Sequence, residues 1–445
     1  MSTFQYAYLD GEVLENVHVE VEDGVITFMA ARDAASKAVA GLTIPGLANC
    51  HSHAFHRALR GHTQTERGSF WTWREQMYAR AASLTPDEYF ALATRVYREM
   101  RATGITAVGE FHYLHHQAGG TPYADPNEMG KALLAAADEA GIRIRLLDAC
   151  YVSAGFGRAP EGVQRRFSDG DAERWAERVA AFDDPRVGVA IHSVRAVPRE
   201  QLPTIVEAAA GRPLHVHLSE QVAENEACLE AYGVTPTQLL ADAGALGPMT
   251  TVVHATHLTD TDIKLLGEAR VFANFCPTTE RDLADGIGPS RALASAGARL
   301  TLGSDSHAII DLFEEMRAVE MHERLATQQR GHWAAAELLA AATYVGHASL
   351  GFDDAGRIAA GQRADLVTID LDTWRTRDCG ASPETVVFAA TAADVIPPEV
   401  EEPRSGVTKP PHSEVEEARR AVTKPGHSEV EEARRAVTKP EPRHG

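Results

Sequence analysis

Histidine and acidic residues recur in four short motifs whose side chains could hold one metal ion and activate a water molecule. The motifs span residues 45–53, 215–220, 254–257 and 303–307. Imidazole nitrogens and a carboxylate bind Zn²⁺ or a similar divalent ion, and a coordination position left open takes a water. The pKa of that water falls to about 7, which makes hydroxide available at neutral pH. The motifs therefore indicate a metal-dependent hydrolase.

One divalent ion per chain is expected, and its predicted ligands are His51, His53, His217 and Asp305. Asp305 could also accept the proton of the attacking water. Glu220, three residues past a ligand, is placed to pass that proton to the leaving nitrogen. Mixed histidine and aspartate ligation suits zinc and does not exclude iron or manganese.

Strand ends are the elements that must bring these residues together. Residues two apart in a strand point to the same face about 7 Å apart, so His51 and His53 converge if residues 47–53 end a strand. The other motifs follow or end apolar, β-prone runs at residues 212–217, 250–254 and 299–303. All ligands would then lie at the carboxyl ends of strands, where a (β/α)8 barrel carries its active site.

The pattern along the chain predicts an α/β protein with a small β unit before the barrel. Short strands at residues 4–8, 13–21 and 25–28 are separated by Asp-Gly turn signals. Apolar runs then alternate with helical stretches, which is βα repetition. The helical stretches are residues 87–103, 127–140, 172–182 and 236–243. The predicted domains are 1–43 (β unit), 44–350 (barrel), 351–396 (return to strands) and 397–445 (tail).

Composition and charge argue against nucleic acid and anionic membranes as partners of this chain. The chain has 445 residues and a net charge of −20, so it lacks the basic patch that nucleic acid or an anionic membrane requires. Its five cysteines are odd in number and never in CxxC spacing, which argues against a disulfide framework or a thiolate zinc site. No segment has the pattern of a signal peptide or the length of a membrane span. We expect a cytoplasmic enzyme with a small-molecule substrate.

Four further segments carry a resemblance to a known family. They span residues 69–75, 109–116, 192–197 and 276–280. With the metal motifs, they make residues 1–393 resemble the amidohydrolase superfamily and, within it, the formiminoglutamate deiminases. The resemblance implies a TIM-like barrel, a small β-sandwich built from the N-terminal and post-barrel segments, and a homodimer. It also implies a strand at residues 386–388 that is normally followed by further strands.

The resemblance also implies roles for individual residues. His254 would stand close to the attacking water, with His257 as the competing candidate. Arg74 and Arg195 resemble the carboxylate-binding arginines of the family, and guanidinium groups bind carboxylates through paired hydrogen bonds. The resemblance assigns three further residues to substrate binding, namely His56, Tyr113 and His192. His56 stands where a glutamine is expected, and a charged imidazole there would oppose a cationic substrate head.

Three functions follow as alternatives. The resemblance implies hydrolytic deimination of N-formimino-L-glutamate, a substrate with two carboxylates, to N-formyl-L-glutamate and ammonia in histidine degradation. Another deaminase acting on a nucleobase-like or guanidino substrate would share the metal residues but would not need paired arginines. A non-catalytic metal-binding scaffold would not need the proton-transfer residue Glu220.

The C-terminal tail departs from the family pattern. Residues 412–425 are repeated letter for letter at residues 427–440, in a proline-containing segment with few large apolar side chains. Such a segment cannot bury enough surface to fold alone. We expect a disordered appendage, with a partner-binding helix as the alternative, and an uncovered edge of the β unit where the tail begins.

Overall fold

A computed structural model describes residues 1–31, 38–64, 68 and 70–397. These residues form fourteen strands: β1 (Ser2–Leu9), β2 (Glu12–Glu22), β3 (Val25–Ala31), β4 (Val39–Pro45), β5 (Leu47–Ser52), β6 (Ile105–His112), β7 (Arg143–Cys150), β8 (Val187–Ile191), β9 (Leu214–Leu218), β10 (Thr250–His254), β11 (Phe272–Phe275), β12 (Arg299–Leu302), β13 (Leu366–Ile369) and β14 (Val395–Ile396). The tail from residue 398, and with it the predictions for the duplicated segment, lies outside the described residues, as does Ser69.

The described residues also form fourteen α-helices: α1 (Phe70–Ala81), α2 (Pro86–Ala102), α3 (Glu128–Ala140), α4 (Ala172–Ala180), α5 (Leu202–Ala209), α6 (Val222–Tyr232), α7 (Pro236–Asp242), α8 (Asp260–Glu268), α9 (Pro277–Asp282), α10 (Ser290–Ala296), α11 (Leu312–Thr327), α12 (Ala335–Ala342), α13 (Tyr344–Ser349) and α14 (Pro383–Phe388). Short 3-10 helices cover Ala54–Leu59, Gly162–Phe167, Arg199–Gln201 and Ala392–Asp394.

Local sequence signals explain where the predicted helices begin and end. Thr85 caps α2 by accepting a hydrogen bond from the backbone N–H of Glu88, whose carboxylate bonds back to Thr85, and Pro86 occupies the first turn. Helix α3 ends at Gly141, which adopts the left-handed conformation that glycine tolerates best. The four helices predicted from the sequence are confirmed, each within two residues of its predicted ends.

Strands β5 to β12 form the barrel. They pair in sequence order, in parallel, with at least one helix between each strand and the next, as the βα pattern predicts. The first and last strands meet at a seam, which we define by Ser52 and Asp305. These two residues form a parallel bridge, and Asp305 donates its N–H to the carbonyl of His51 at 3.0 Å while accepting the N–H of His53 at 3.2 Å. The seam therefore joins the carboxyl end of β5 to the segment after β12.

A separate six-stranded mixed sheet forms the accessory β unit, in the order β14-β13-β4-β1-β2-β3. Its hairpin turns contain Asp10-Gly11 and Asp23-Gly24 with positive φ angles, as turns of this type require. Strand β4 pairs with β1 on one side and with β13 on the other, so the segment after the barrel rejoins the N-terminal one. The predicted combination of a barrel and a small β unit built from both segments is confirmed.

The predicted strand at residues 386–388 is wrong, because this segment belongs to helix α14. Ser382 caps the helix by accepting the N–H of Thr385, and Pro383 lies in its first turn. Val386 and Val387 are completely buried, so the apolar run that resembles a strand is the buried face of one helical turn. The outer strand beside β13 is instead the two-residue β14.

Within the described residues, every helix is too short or too polar to cross a bilayer.

Candidate metal centre and active-site cavity

The four predicted metal ligands come together at the carboxyl end of the barrel. His51 lies on β5, His53 just after it, His217 on β9, and Asp305 just after β12. Asp305 Oδ1 lies 3.4 Å from His51 Nε2 and 3.3 Å from His53 Nε2. His217 Nε2 lies 3.1 Å from His51 Nε2. The alternating strand positions therefore place all four side chains around one point.

These distances are short enough for the four donor groups to bind one metal ion. Zinc bonds of about 2.0–2.1 Å place neighbouring donor atoms about 3.3 Å apart, close to the spacings observed here. Two of the rings are also oriented by backbone carbonyls: His53 Nδ1 donates to Phe111 O at 3.0 Å, and His217 Nδ1 donates to His192 O at 2.7 Å. A donated Nδ1 proton leaves the Nε2 lone pair facing the centre, as in known histidine–metal sites.

The protonation state of the three histidine ligands also favours metal binding. Burial, reinforced by the neighbouring imidazoles, holds the pKa of His51, His53 and His217 well below the usual range. Neutral imidazole is the form that binds a metal ion. The three rings are therefore ready to coordinate at neutral pH.

His254 lies beside this centre among carboxylates. Its Nε2 is 3.7 Å from Asp305 Oδ2 and 4.0 Å from Glu220 Oε1, while its Nδ1 is 3.3 Å from Glu280 Oε1. Burial opposes a charge on His254, but Glu220, Glu280 and Asp305 together raise its pKa to about 10. His254 can therefore donate a hydrogen bond to an oxygen placed between it and the ligands.

Glu280 holds the His254 ring and has no role in the predicted site. The only sequence signal for it is its position in segment 276–280, where it also accepts the N–H of Cys276 at 2.9 Å. The competing candidate, His257, lies outside the cluster, and its Nε2 is bonded to the carbonyl of Asp285 at 2.8 Å. The structure thus distinguishes the two histidines of the third motif.

A cavity of about 590 Å³ opens from the metal centre, and all five predicted substrate-binding residues line it. These residues are His56, Arg74, Tyr113, His192 and Arg195. His56 is buried, and its Nε2 lies 3.0 Å from the Tyr113 hydroxyl. Burial lowers the pKa of His56 to about 3. A neutral ring removes the repulsion that a charged imidazole would exert on a cationic substrate head.

The two arginines have different surroundings. Arg74 lies on helix α1, with its guanidinium 4.4 Å from the Trp71 ring. Arg195 Nε lies 3.3 Å from Glu224 Oε1, and its Nη2 lies 3.9 Å from Glu220 Oε2. Glu224 is completely buried and was not predicted as a site residue. Its carboxylate orients Arg195, whose guanidinium still borders the cavity.

A second group of possible ligands is formed by His112, His115 and Asp148, on and after β6 and β7. Its carboxylate is already paired, because the Arg178 guanidinium donates to both oxygens of Asp148 at 2.8 Å. Trp175 Nε1 donates to the same carboxylate at 2.9 Å. A buried carboxylate that is already paired in this way is a poor partner for a further cation.

The chain is similar to known deaminases along most of its length. The chain is 37% identical, over 80% of its length and 83% of the relative, to the formimidoylglutamate deiminase of Pseudomonas aeruginosa. It is 31% identical, over 82% of its length and 81% of the relative, to the 5-methylthioadenosine/S-adenosylhomocysteine deaminase of Natronomonas pharaonis.

Solved structures show the same architecture. A crystal structure of an amidohydrolase from Brucella melitensis aligns with a TM-score of 0.80 and 33% identity, over 88% of this chain and 91% of that one. An adenosine deaminase from Xanthomonas campestris with bound zinc aligns with a TM-score of 0.74 and 25% identity, over 88% and 89% of the two chains. The sequence profile of the amidohydrolase family matches residues 42–400. The chain therefore belongs to the amidohydrolase family.

Proposed function

We propose that this protein hydrolyses N-formimino-L-glutamate to N-formyl-L-glutamate and ammonia, in the degradation of histidine and in the cytoplasm. The observation that carries the proposal is that two arginines, Arg74 and Arg195, line the same cavity as the metal centre. A substrate with two carboxylates needs such groups at the end away from the reacting carbon. The similarity to the Pseudomonas aeruginosa deiminase supports the same substrate.

The reaction replaces the imine nitrogen of the formimino group by oxygen, and water supplies both that oxygen and the hydrogens that leave with ammonia. A divalent ion, for which we propose zinc, would be held by the four ligands and would supply hydroxide at neutral pH. Asp305 accepts a proton from the attacking water. Glu220 is buried, and burial raises its pKa, so it can hold a proton and deliver it to the departing nitrogen. His254 donates a hydrogen bond to the oxygen that adds to the substrate carbon.

Ammonia release tests the proposal. The full-length zinc-loaded protein is assayed with N-formimino-L-glutamate and, at equal concentrations, with adenosine, 5-methylthioadenosine and a guanidino acid. We expect formiminoglutamate to have the highest kcat/KM by at least about 10²-fold, because a site built for two carboxylates loses those contacts with the other substrates. A higher kcat/KM for a nucleoside would contradict the proposal.

A nucleoside deaminase is the second candidate, and one observation favours it. The cavity wall carries the aromatic rings of Phe70, Trp71 and Trp73, which could stack on a planar base. Several relatives of this chain are named as deaminases of adenosine derivatives, including the one from Natronomonas pharaonis. The same assay separates the two candidates.

Replacing Arg195 with Met tests carboxylate recognition. A hydrogen bond to a charged group contributes about 1.5–3 kcal/mol, so kcat/KM for formiminoglutamate should fall at least about tenfold with the metal content unchanged. Arg199→Met is the matched control, because Arg199 packs over the Tyr232 ring outside the cavity. An unchanged kcat/KM in Arg195→Met would favour the nucleoside alternative.

Deleting residues 397–445 tests the predicted appendage. The metal ligands and the cavity lining all lie within residues 51–305, so we expect kcat to stay within about twofold of the full-length value, as for changes distant from a site. Steady-state kinetics and thermal unfolding of the shortened chain measure this. A folded but inactive truncation would show that the tail contributes to the enzyme.

A further inference from the structure

A glutamine and two tyrosines form a hydrogen-bonded group in the wall of the cavity. Tyr78 on helix α1 and Tyr151 after β7 both line the cavity. Gln164, in the 3-10 helix Gly162–Phe167, places its side-chain Nε2 at 3.0 Å from each of the two phenol oxygens. We call these three residues the tyrosine pair and its glutamine. None of them belongs to the predicted site.

The orientation of the Gln164 amide follows from a separate contact. Its Oε1 accepts the backbone N–H of Glu161 at 3.2 Å, which only an oxygen can do. The NH₂ group must therefore face the tyrosines and donate one hydrogen to each phenol oxygen. Since Gln164 is buried, this arrangement is held away from competing water.

The phenol protons are left for other acceptors. Each hydroxyl has one proton, and neither can donate to an NH₂ group that is already donating. The two hydroxyls could bond to each other, but that contact would use only one of the two protons. Burial and the nearby Tyr78 raise the pKa of Tyr151, so its phenol stays protonated. At least one O–H donor therefore remains for a group that enters the cavity.

The surroundings favour an anionic group. The guanidinium of Arg74 lies 5.5 Å from the Tyr78 ring centroid, and the charges of Arg195 and Arg74 both act on Tyr151. The tyrosine pair also lies away from the metal centre. The ring centroid of His192 is 5.3 Å from that of the ligand His217 and 4.8 Å from that of Tyr151. An elongated substrate with its reacting carbon at the metal would extend toward the tyrosines.

We propose that Tyr78 and Tyr151 donate hydrogen bonds to the side-chain carboxylate of the substrate, the one farther from the formimino carbon, and that Gln164 is the positioning residue that directs their protons. This inference rests on the proposed function for the identity of the substrate. It assigns distinct tasks within the cavity. The arginines supply charge, and the two phenols supply a pair of donors that matches the two acceptor oxygens of a carboxylate better than the single one of an amide.

Removing the hydroxyls tests the donors. In Tyr151→Phe and Tyr78→Phe/Tyr151→Phe, the rings stay and only the O–H groups are lost. We expect kcat/KM for formiminoglutamate to fall at least about tenfold in the double variant, mainly through KM. With N-formiminoglutamine, in which the side-chain carboxylate is an amide, the fall should be smaller, because the amide offers one acceptor oxygen where the carboxylate offers two. Equal losses for both substrates would indicate a merely structural role.

Exchanging the glutamine tests its positioning role. Gln164→Glu keeps the size of the side chain but replaces two N–H donors by an acceptor, so the phenol protons turn toward residue 164 and the substrate loses them. As in the tyrosine variants, we expect kcat/KM to fall more for formiminoglutamate than for N-formiminoglutamine. The matched control is Gln238→Glu, because Gln238 accepts the N–H of Thr235 in the same way at the start of α7. If the ratio of kcat/KM for the two substrates is unchanged in Gln164→Glu, the positioning role is wrong.

Glutarate binding separates this inference from the proposed function. Calorimetry on the zinc-loaded full-length protein should show binding of glutarate, a plain dicarboxylate, and at least about tenfold weaker binding in Tyr78→Phe/Tyr151→Phe. Glutarate binding by the wild type without turnover of formiminoglutamate would reject the proposed substrate and retain the carboxylate site. A wild type that does not bind glutarate, or a double variant that binds it equally well, would overturn the site itself.

Discussion

Replacing Glu220 with Gln is expected to lower kcat by about 10²–10⁴-fold, the usual contribution of a positioned proton-transfer group, while the metal stays bound. Glu220 lies 4.0 Å from His254 Nε2 and is buried, so bulk water has little access to take over its task. Glutamine has almost the same shape but cannot accept and release a proton during turnover. Steady-state kinetics and metal analysis of the purified variant measure the two quantities.

The control for this variant is Glu226→Gln. Glu226 lies on the same helix, α6, as Glu224 but is exposed to solvent, so its replacement should leave kcat unchanged. Full activity in Glu220→Gln would contradict the proton-transfer role, and loss of the metal would show that Glu220 acts on the ligand set instead.

Replacing His217 with Ala is expected to remove metal and turnover together. His217 is one of the four proposed ligands, and its Nε2 lies 3.1 Å from His51 Nε2. Alanine leaves that position without a donor atom. Since loss of an outer contact to a ligand already costs roughly 10–100-fold in metal affinity, loss of the ligand itself should cost more. Metal content after dialysis against a chelator, measured beside kcat, tests this.

His257→Ala is the matched control for His217→Ala. His257 follows the same barrel end but is bonded to the carbonyl of Asp285, so we expect this variant to keep its metal. If His257→Ala lost metal and His217→Ala kept it, the assignment of His217 as a ligand would be wrong.

The barrel and the clustering of the four proposed ligands could be predicted because their signals are local and periodic. Strand alternation places His51 and His53 on one side, and the apolar runs before His217 and Asp305 mark strand ends. The same approach failed at residues 386–388, where three apolar residues suit a strand and a buried helical turn equally well. Only the cap at Ser382 and the packing of Val386 and Val387 distinguish the two.

Side-chain partners that are distant in sequence could not be predicted. Nothing near Arg195 in the sequence indicates that it pairs with Glu224, which is 29 positions away and belongs to a different element. The tyrosine pair and its glutamine are likewise brought together from α1, the end of β7 and a 3-10 helix. The charge of His56 depends on burial, and burial is a property of the folded chain.

The seam between Ser52 and Asp305 links metal binding to the order in which the chain folds. His51 lies on the first barrel strand and Asp305 follows the last, so the proposed ligand set is complete only after a contact that spans most of the barrel sequence has formed. Contacts of such long sequence separation form slowly. A ligand that binds only the closed barrel stabilises it by about 4.1 kcal/mol at a thousand times its Kd. A metal ion bound by these residues would stabilise the closed barrel. Its removal should lower the free energy of local unfolding most where β5 meets the segment after β12.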